Sequence, residues 1–473
     1  MNIVVFSLGI IFKDKVQGGS QKVLYEISKG LGERGHKITI YCPYRWDNSE
    51  NFEITDGVSV KPVLPLKGTF PLPYDVSPFD LYKTSEIMLN AISNADLLYC
   101  HDGGLNIEFL KTVIPTVISL RDFCYPETLL GALNFQQSAI IVNSDHTYRC
   151  LYDSFARINP NIKDKVFKVY NGYSSDRLSK REITDSFLDE FMLPKKSGIV
   201  IGYPHRPQEE KGFIQALKVI KRLKKSYPNV KLLIPLYMDK DKSERTNTTY
   251  QNIFNFIEKE NLKDNVIFHR WITYECMGEY FSYCNVILCI GNFVEAFSNV
   301  ATEALLCSTP VVAANVATYR TMPIRDYINL VNYDDIDETC KIISRIIEIG
   351  YKNPSNIASI EEAKLYIEQN LSIEKCVDNF EKIFINVLYN KNKNNQFENK
   401  IDNNEKLYRL TSWCSYVNGK IYDDYRGCYL QDHFNGLFQN NSSLLSLEYL
   451  IQKGISTDII KQEIEKGIII EDV

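Results

Sequence analysis

Two successive doubly wound α/β units, followed by a smaller α+β unit, are what this sequence predicts. Three observations carry the prediction. Short apolar runs alternate with helix-period stretches from Ile3 to Tyr170. The same alternation restarts at Gly198-Ile199-Val200-Ile201-Gly202. A polar Asn/Lys-rich stretch, Asn390 to Asn404, then precedes a last segment with its own hydrophobic pattern. Strands buried on both faces read as near-continuous apolar runs, and the helices between them supply right-handed crossovers, so the first two units should each hold a parallel sheet.

In the first unit, Ile3-Val4-Val5-Phe6 is the opening strand. Gly18-Gly19-Ser20 opens a helix to about Arg34, and Gly35-His36 ends it. Lys37 to Tyr41 is the next strand, followed by Leu97-Leu98-Tyr99, Thr116 to Leu120, Ala139 to Val142 and Phe167 to Tyr170. Leu178 to Lys196 is polar and reads as a linker region. In the second unit, Gly198 to Gly202 is a strand and Gly212 to Lys225 has amphipathic helical period. Val230 to Ile234, Val266 to Phe268, Val286 to Cys289 and Val311 to Ala314 continue the sheet, and Ile357 to Leu388 reads as helix. Asn390 to Asn404 lacks the apolar content for a core and should be a flexible linker. Beyond it, Arg409 to Tyr429 suggests a β-ribbon turning at Asn418-Gly419. Leu444 to Gln452 and Thr457 to Lys466 suggest short helices before Ile468-Ile469-Ile470.

The length, 473 residues, suits two or three domains. A content of 44% hydrophobic and 24% charged residues is that of an ordinary globular chain. A net charge of -5 provides no basic field for nucleic acid, and acidic residues slightly outnumber basic ones in the final segment. The twelve Cys form no CxxC pair, and none of the six His stands at zinc-ligand spacing from them. The expectation is reduced thiols in the cytoplasm and no metal. No apolar run is long enough to span a bilayer, which leaves at most peripheral contact with an inner membrane face.

The most informative stretch runs from Glu295 to Thr309. Glu295 precedes the polar turn Ala296-Phe297-Ser298-Asn299-Val300, and Glu303 lies eight positions on, inside a helical pattern that breaks at Ser308-Thr309-Pro310. A loop entering a helix offers free backbone N–H groups and the positive end of the helix dipole, an anion site. Carboxylates on either side of that anion could hold hydroxyl groups. Ribose hydroxyls, a diphosphate and sugar hydroxyls have that order in a nucleotide sugar.

This stretch resembles the Glu-x7-Glu signature of retaining glycosyltransferases of GT-B family 4, the glycosyl transferases group 1, with Ala296, Ser298 and Ser308 where glycine is usual. Further landmarks over residues 1–388 strengthen the resemblance. Gly18-Gly19 stands where the family lets the backbone approach donor and acceptor. His205-Arg206 and Lys211-Gly212 resemble the family's G-R-x-x-x-x-K-G motif, with Pro204 and Pro207 as departures. His101-Asp102 resembles a His-Asp position facing the sugar, Arg121 replaces a frequent His, and Asn143-Ser144 and Asn171-Gly172 complete the series. Pro235-Leu236-Tyr237-Met238 replaces the family's glycine-rich turn.

The resemblance implies a GT-B fold: an acceptor-side domain over 1–185, a nucleotide-sugar domain over 186–368, a helix at 369–389 crossing back to the first domain, a linker at 390–405 and an accessory module at 406–473. It implies a metal-independent, retaining hexosyltransferase. Arg206 and Lys211 would neutralise the diphosphate. Glu295 would contact the donor sugar and Glu303 the ribose. Phe297, Ser298, Asn299 and Val300 would present backbone to the phosphates, Trp271 and Ile272 would edge the base, and His101 would meet a sugar hydroxyl. No cofactor is implied. The donor carries UDP as first expectation and GDP as second. The acceptor is a glycan, a lipid-linked glycan, or a peptide or protein. The last option follows from a distant, winged-helix-like similarity of the tail to modules that recruit peptides to modifying enzymes. A catalytically silent GT-B subunit that binds glycan or stabilises a partner transferase is the alternative. An epimerase or glycogen-synthase-like enzyme on the same fold is a further rival, less consistent with Glu-x7-Glu and the short first loop.

Overall fold

The computed structural model describes residues 1–472 apart from 14, 17, 67–75, 105–113, 207, 237–243, 350–353 and 390–405. The expected flexible linker, together with Pro207, Tyr237 and Met238, thus lies outside the described residues.

The first sheet contains β1 (Asn2–Ser7), β2 (Lys37–Pro43), β3 (Phe52–Thr55), β4 (Val58–Leu64), β5 (Leu97–His101), β6 (Thr116–Leu120), β7 (Ala139–Val142) and β8 (Val166–Lys168), in the order β3-β4-β2-β1-β5-β6-β7-β8. All its pairings are parallel except β3–β4. That exception is a hairpin turning at Asp56-Gly57, where Gly57 has φ +77°. The chain winds from β1 to β2 on one side and returns to β5 on the other, so β1 and β5 bound a switch point whose loops open a crevice.

The second sheet contains β9 (Val200–Gly202), β10 (Lys231–Pro235), β11 (Val266–His269), β12 (Val286–Cys289), β13 (Val311–Ala314) and β14 (Asn329–Val331), all parallel, in the order β11-β10-β9-β12-β13-β14. Its switch point lies between β9 and β12. The architecture is the predicted pair of doubly wound sheets.

Two expectations change. Leu178 to Lys196 is not a polar linker: helix Asp185–Phe191 buries Phe187, Leu188 and Phe191, and Leu178 and Leu193 join the same core beside Val200 and Tyr280. The single helical stretch over Ile357 to Leu388 is two helices, Pro354–Asn370 and Ile373–Tyr389. Ala363 and Ile367 of the former pack into the second-domain core. Cys376, Val377, Phe380, Ile383 and Phe384 of the latter pack with Ile3, Val5 and Tyr99 in the first.

The tail forms two antiparallel sheets. One holds β15 (Leu407–Leu410), flanked by β19 (Leu445–Ser446) and β20 (Ile469–Glu471). The other is the meander of β16 (Cys414–Val417), β17 (Lys420–Asp423) and β18 (Cys428–Gln431). The hairpin turn is Asn418-Gly419, with φ +48° and +80°, the positive pair a tight primed turn requires. Ser446 and Ser456 cap helices Leu447–Gln452 and Thr457–Glu465. Phe434, Phe438, Leu450 and Ile460 give the unit its own small core.

This unit is docked on both larger domains. On the first, Asp153 accepts from Arg409 at 2.6 and 3.0 Å and from the Ser412 N–H at 2.9 Å, and Tyr425 donates to the Phe123 carbonyl at 2.9 Å. On the second, buried Asp424 pairs with Arg320 through both guanidinium nitrogens and accepts the Ala317 N–H at 3.1 Å. Asp424→Ala would leave the Arg320 charge buried and unpaired, at an expected cost of about 3–5 kcal/mol. A melting curve of the variant reads this directly, and an unchanged Tm would contradict it. Burial raises the Asp153 pKa, but bonds from Arg409 and Ser412 outweigh it and the net shift is downward. A carboxylate depressed in the folded state stabilises above its unfolded pKa and loses that contribution as pH falls through the folded one. The docking contact should therefore weaken in acid, below the usual carboxylate range.

Candidate active site

The loops leaving β9 and β12 meet at the second-domain switch point. Gly212, with φ +90°, and Gly291 allow the meeting: a Cβ on Gly212 would lie 2.7 Å from the Gly291 Cα, and one on Gly291 would lie 2.3 Å from the Lys211 carbonyl carbon. This contact brings Lys211 to Glu295, and the two form an ion pair. The ammonium also stands 3.8 Å from the Phe293 ring centroid. Two backbone bonds set the Glu295 loop, Phe293 N–H to Glu210 C=O at 2.9 Å and Glu295 N–H to Phe293 C=O at 2.8 Å. Arg206 lines the same cleft. His205 fixes the first loop by donating from Nε2 to the Leu288 carbonyl at 2.9 Å. Burial, with Lys211 adding to it, holds its pKa down at about 4, so the ring is neutral and structural.

Helix Asn299–Leu306 follows the Glu295 loop and aims its N-terminus into the cleft. Ser298 caps it, accepting the Ala301 N–H at 3.3 Å, and Tyr319 hydrogen-bonds the same hydroxyl at 2.9 Å. Phe297, Ser298, Asn299 and Val300, at the N-terminus of this helix, line the cleft. The Phe297 ring packs away among Tyr170 and Tyr173, so this residue offers backbone rather than side chain. At the other end Ser308 holds φ +56° where the resembling motif has glycine, a left-handed conformation adopted by a Cβ-bearing residue.

The facing wall belongs to the first domain. Gly18 and Gly19 line it, and a Cβ on Gly19 would come within 2.6 Å of the Asn299 amide nitrogen. Asn299 Oδ1 accepts from Asn171 at 2.8 Å and from the Tyr173 hydroxyl at 2.7 Å, tying the helix terminus to the opposite domain. The space enclosed, about 260 Å³, is bounded by Arg206, Lys211, Glu295 and the helix terminus on one side and by Gly18, Gly19, Asp102 and Arg121 on the other.

An adjoining, more apolar slot is lined by Trp271, Ile272, Tyr274, Met277, Val300 and Glu303. Here the structure adds a residue that sequence reasoning missed. Lys22, on the first turn of helix Gly19–Glu33, forms a buried ion pair with Glu303 across the domain boundary. Its ammonium lies 4.6 Å from the Tyr274 ring centroid and 5.4 Å from that of Tyr173. The nearest sequence signal is a lysine three positions after Gly-Gly. Lys22→Met should lower Tm by leaving the Glu303 carboxylate without its cation, and the double variant Lys22→Met/Glu303→Gln should recover part of the loss. Strictly additive losses in a double-mutant cycle would contradict the coupling.

His101 stands one layer behind the wall. It is 1% exposed and, unlike Ser20 and Asp102, is not among the cleft-lining residues. Nε2 lies 3.0 Å from both the Ser20 carbonyl and hydroxyl oxygens, and the Tyr99 hydroxyl lies 2.8 Å from Nδ1. These partners suit a ring that donates from Nε2 and accepts at Nδ1. Burial and Arg121 hold its pKa down at about 3, so it is neutral. The expectation that His101 meets sugar is corrected: it supports Ser20, which in turn donates to Asp102 Oδ2 at 2.9 Å. Asp102 has φ +66°, and burial, then nearby Asp122, raises its pKa to about 7.

With this geometry in place, comparison with known proteins identifies its relatives. Residues 187–358 match the family described as glycosyl transferases group 1. An uncharacterized 41.2 kDa protein in the cps region of Klebsiella pneumoniae is 29% identical over 223 residues, 47% of this chain and 54% of that protein, so the match spans about half the relative's length. Among solved structures, sucrose-phosphate synthase from Thermosynechococcus elongatus superposes with TM-score 0.65 at 15% identity, covering 82% of this chain and 100% of that one. A glycosyltransferase from Rickettsia africae gives 0.63 at 14%, over 83% and 99%. The Anabaena HepE protein in complex with UDP and glucose gives 0.59 at 19%, over 81% and 98%. These likenesses show the GT-B fold. Among the described residues, no helix is long and apolar enough to cross a membrane.

Proposed function

We propose that the chain, on its GT-B fold and with its match to the glycosyl transferases group 1 model over residues 187–358, is a glycosyltransferase that transfers a sugar from a nucleoside diphosphate sugar to an acceptor with retention of configuration and without a metal. The observation that carries this reading is the convergence of Arg206, the Lys211–Glu295 pair and the N-terminus of helix Asn299–Leu306 on one point opposite Gly18-Gly19. The apolar slot between Trp271 and Tyr274 suits a base, and Glu303 at its edge suits ribose hydroxyls. UDP is the first choice, supported by the complex of the HepE neighbour, and GDP the second.

Lys211 and Glu295 form an ion pair in the cleft. A diphosphate entering beside Lys211 takes over the ammonium and frees Glu295 for the sugar hydroxyls. As the glycosidic bond to the diphosphate breaks, negative charge grows on the leaving oxygen. Arg206, Lys211 and the N-terminus of helix Asn299–Leu306 line the cleft beside that oxygen and would stabilise the charge as it forms. Cationic side chains thus do the work a divalent ion would do, and the expected result is nearly full activity in EDTA. Complete loss restored by a divalent cation would contradict this.

The silent-subunit alternative keeps the fold but predicts no turnover. A thermal-shift series with UDP, GDP, ADP and their sugars tests the binding step, because a ligand of the native state raises Tm by mass action. A shift from one nucleotide class is expected, and no shift from any would overturn the reading. The acceptor is proposed to be a glycan or lipid-linked glycan, with a peptide or protein as the second choice.

A further inference from the structure

Three neighbouring strand ends in the first domain carry buried polar atoms without partners. Asp102 follows β5, Arg121 follows β6 and Asn143 follows β7, and all three line the cleft. Arg121 is 8% exposed. One of its terminal nitrogens donates to Asn171 Oδ1, while Nε and Nη1 have no acceptor, and it makes no ion pair among the described residues. Asp102 has Oδ2 engaged by Ser20 and Oδ1 unpaired. Asn143 donates to the Arg121 carbonyl at 3.2 Å and leaves Oδ1 unpaired. A single unpaired buried group is a tolerable defect. A guanidinium, a carboxyl and an amide unpaired together at one edge of a cleft point to a ligand that completes them.

The carboxylate next to Arg121 in the chain is already engaged. Asp122 spends its carboxylate on the Cys124 and Tyr125 N–H groups, at 2.9 and 3.0 Å, and on the Thr128 hydroxyl at 2.9 Å. A neutral hydroxyl would satisfy one N–H of Arg121 and leave the charge uncompensated. A carboxylate or phosphate brings the charge and two oxygens, one for Nε or Nη1 and one for the second N–H of Nη2 on the same edge of the guanidinium. Arg206 and Lys211, on the opposite wall, remain for the diphosphate.

We propose that Asp102, Arg121 and Asn143 form a subsite for an acidic sugar, with Arg121 taking a carboxylate or phosphate oxygen pair and Asp102 and Asn143 taking its hydroxyls. This rests on the nucleotide-sugar reading of the cleft. The acidic group belongs either to the transferred sugar, as in a uronic acid donor, or to the acceptor, as in a sugar phosphate or uronate.

The test compares UDP-glucuronic acid with UDP-glucose by calorimetry. In a second arm, with UDP bound, it compares glucuronate and glucose 6-phosphate with glucose by saturation-transfer NMR. Wild type should prefer the acidic partner by at least ~10-fold in one arm. A preference in the first arm assigns the acid to the donor, and a preference in the second assigns it to the acceptor. Arg121→Gln should erase that preference and keep UDP binding. Arg121→Lys, which keeps the charge without the fork, should retain part of it. Equal binding of acidic and neutral sugars in both arms, or a preference that survives Arg121→Gln, would overturn the subsite while UDP binding left the cleft assignment standing. If UDP fails to bind wild type, the cleft assignment and the subsite fall together.

Discussion

Arg206→Ala and Lys211→Ala are each expected to lower nucleotide-sugar turnover by at least ~100-fold, or about 2.7 kcal/mol of transition-state stabilisation. On the proposed reading both cations would stand where the leaving diphosphate gathers charge, so their loss should be felt most as the bond breaks. Global stability should respond differently in the two variants. Arg206 lies on the loop after β9, and its removal should leave Tm nearly unchanged. Lys211→Ala also leaves Glu295, with 20% of its side chain exposed, without its cation, so a modest fall in Tm should accompany the loss of turnover. Steady-state kinetics and melting curves on both variants check the two parts separately. Wild-type turnover in both would remove the diphosphate assignment.

The two carboxylates should divide binding from chemistry. Glu303 borders the apolar slot proposed for the base, where contacts to ribose would be similar in ground and transition states, so Glu303→Ala should chiefly raise the donor KM. Glu295 is paired with Lys211, beside the proposed reacting centre, so Glu295→Ala should chiefly lower kcat at saturating donor. Lys22 complicates the first expectation in a useful way. It ties Glu303 to the first domain, so Glu303→Ala should also reduce Tm, whereas Glu295→Ala should do so less. The reverse division between KM and kcat would reject these roles.

What was legible in the sequence follows from how locally each feature is encoded. Glu295, the Ser298 cap and Glu303 sit on one loop and helix, so spacing alone sets their geometry. Arg206 and Lys211 share one loop after a strand. Lys22 meets Glu303 from 281 positions away, and Asp102, Arg121 and Asn143 gather only because β5, β6 and β7 are neighbours. No local pattern marks such meetings. The buried face of Phe187, Leu188 and Phe191 is too short to outweigh its polar surroundings, which is why that segment reads as linker. The break at Leu371-Ser372 has no glycine or proline to announce it. The Asp56-Gly57 hairpin, by contrast, carries a local turn signal in Gly57, which holds φ +77°. His101 was placed at the sugar by resemblance, and its packing between Tyr99 and Ser20 is a tertiary fact.

The most direct test of the account is to incubate the protein with UDP- and GDP-sugars in the presence of EDTA and follow the anomeric proton by NMR. The account predicts release of the nucleotide diphosphate and a sugar product, formed on water or on an added acceptor, whose first-formed anomer has the donor's configuration. The Arg206→Ala/Lys211→Ala double variant should lack this activity. An inverted first product, or no turnover of any donor by wild type, would contradict it.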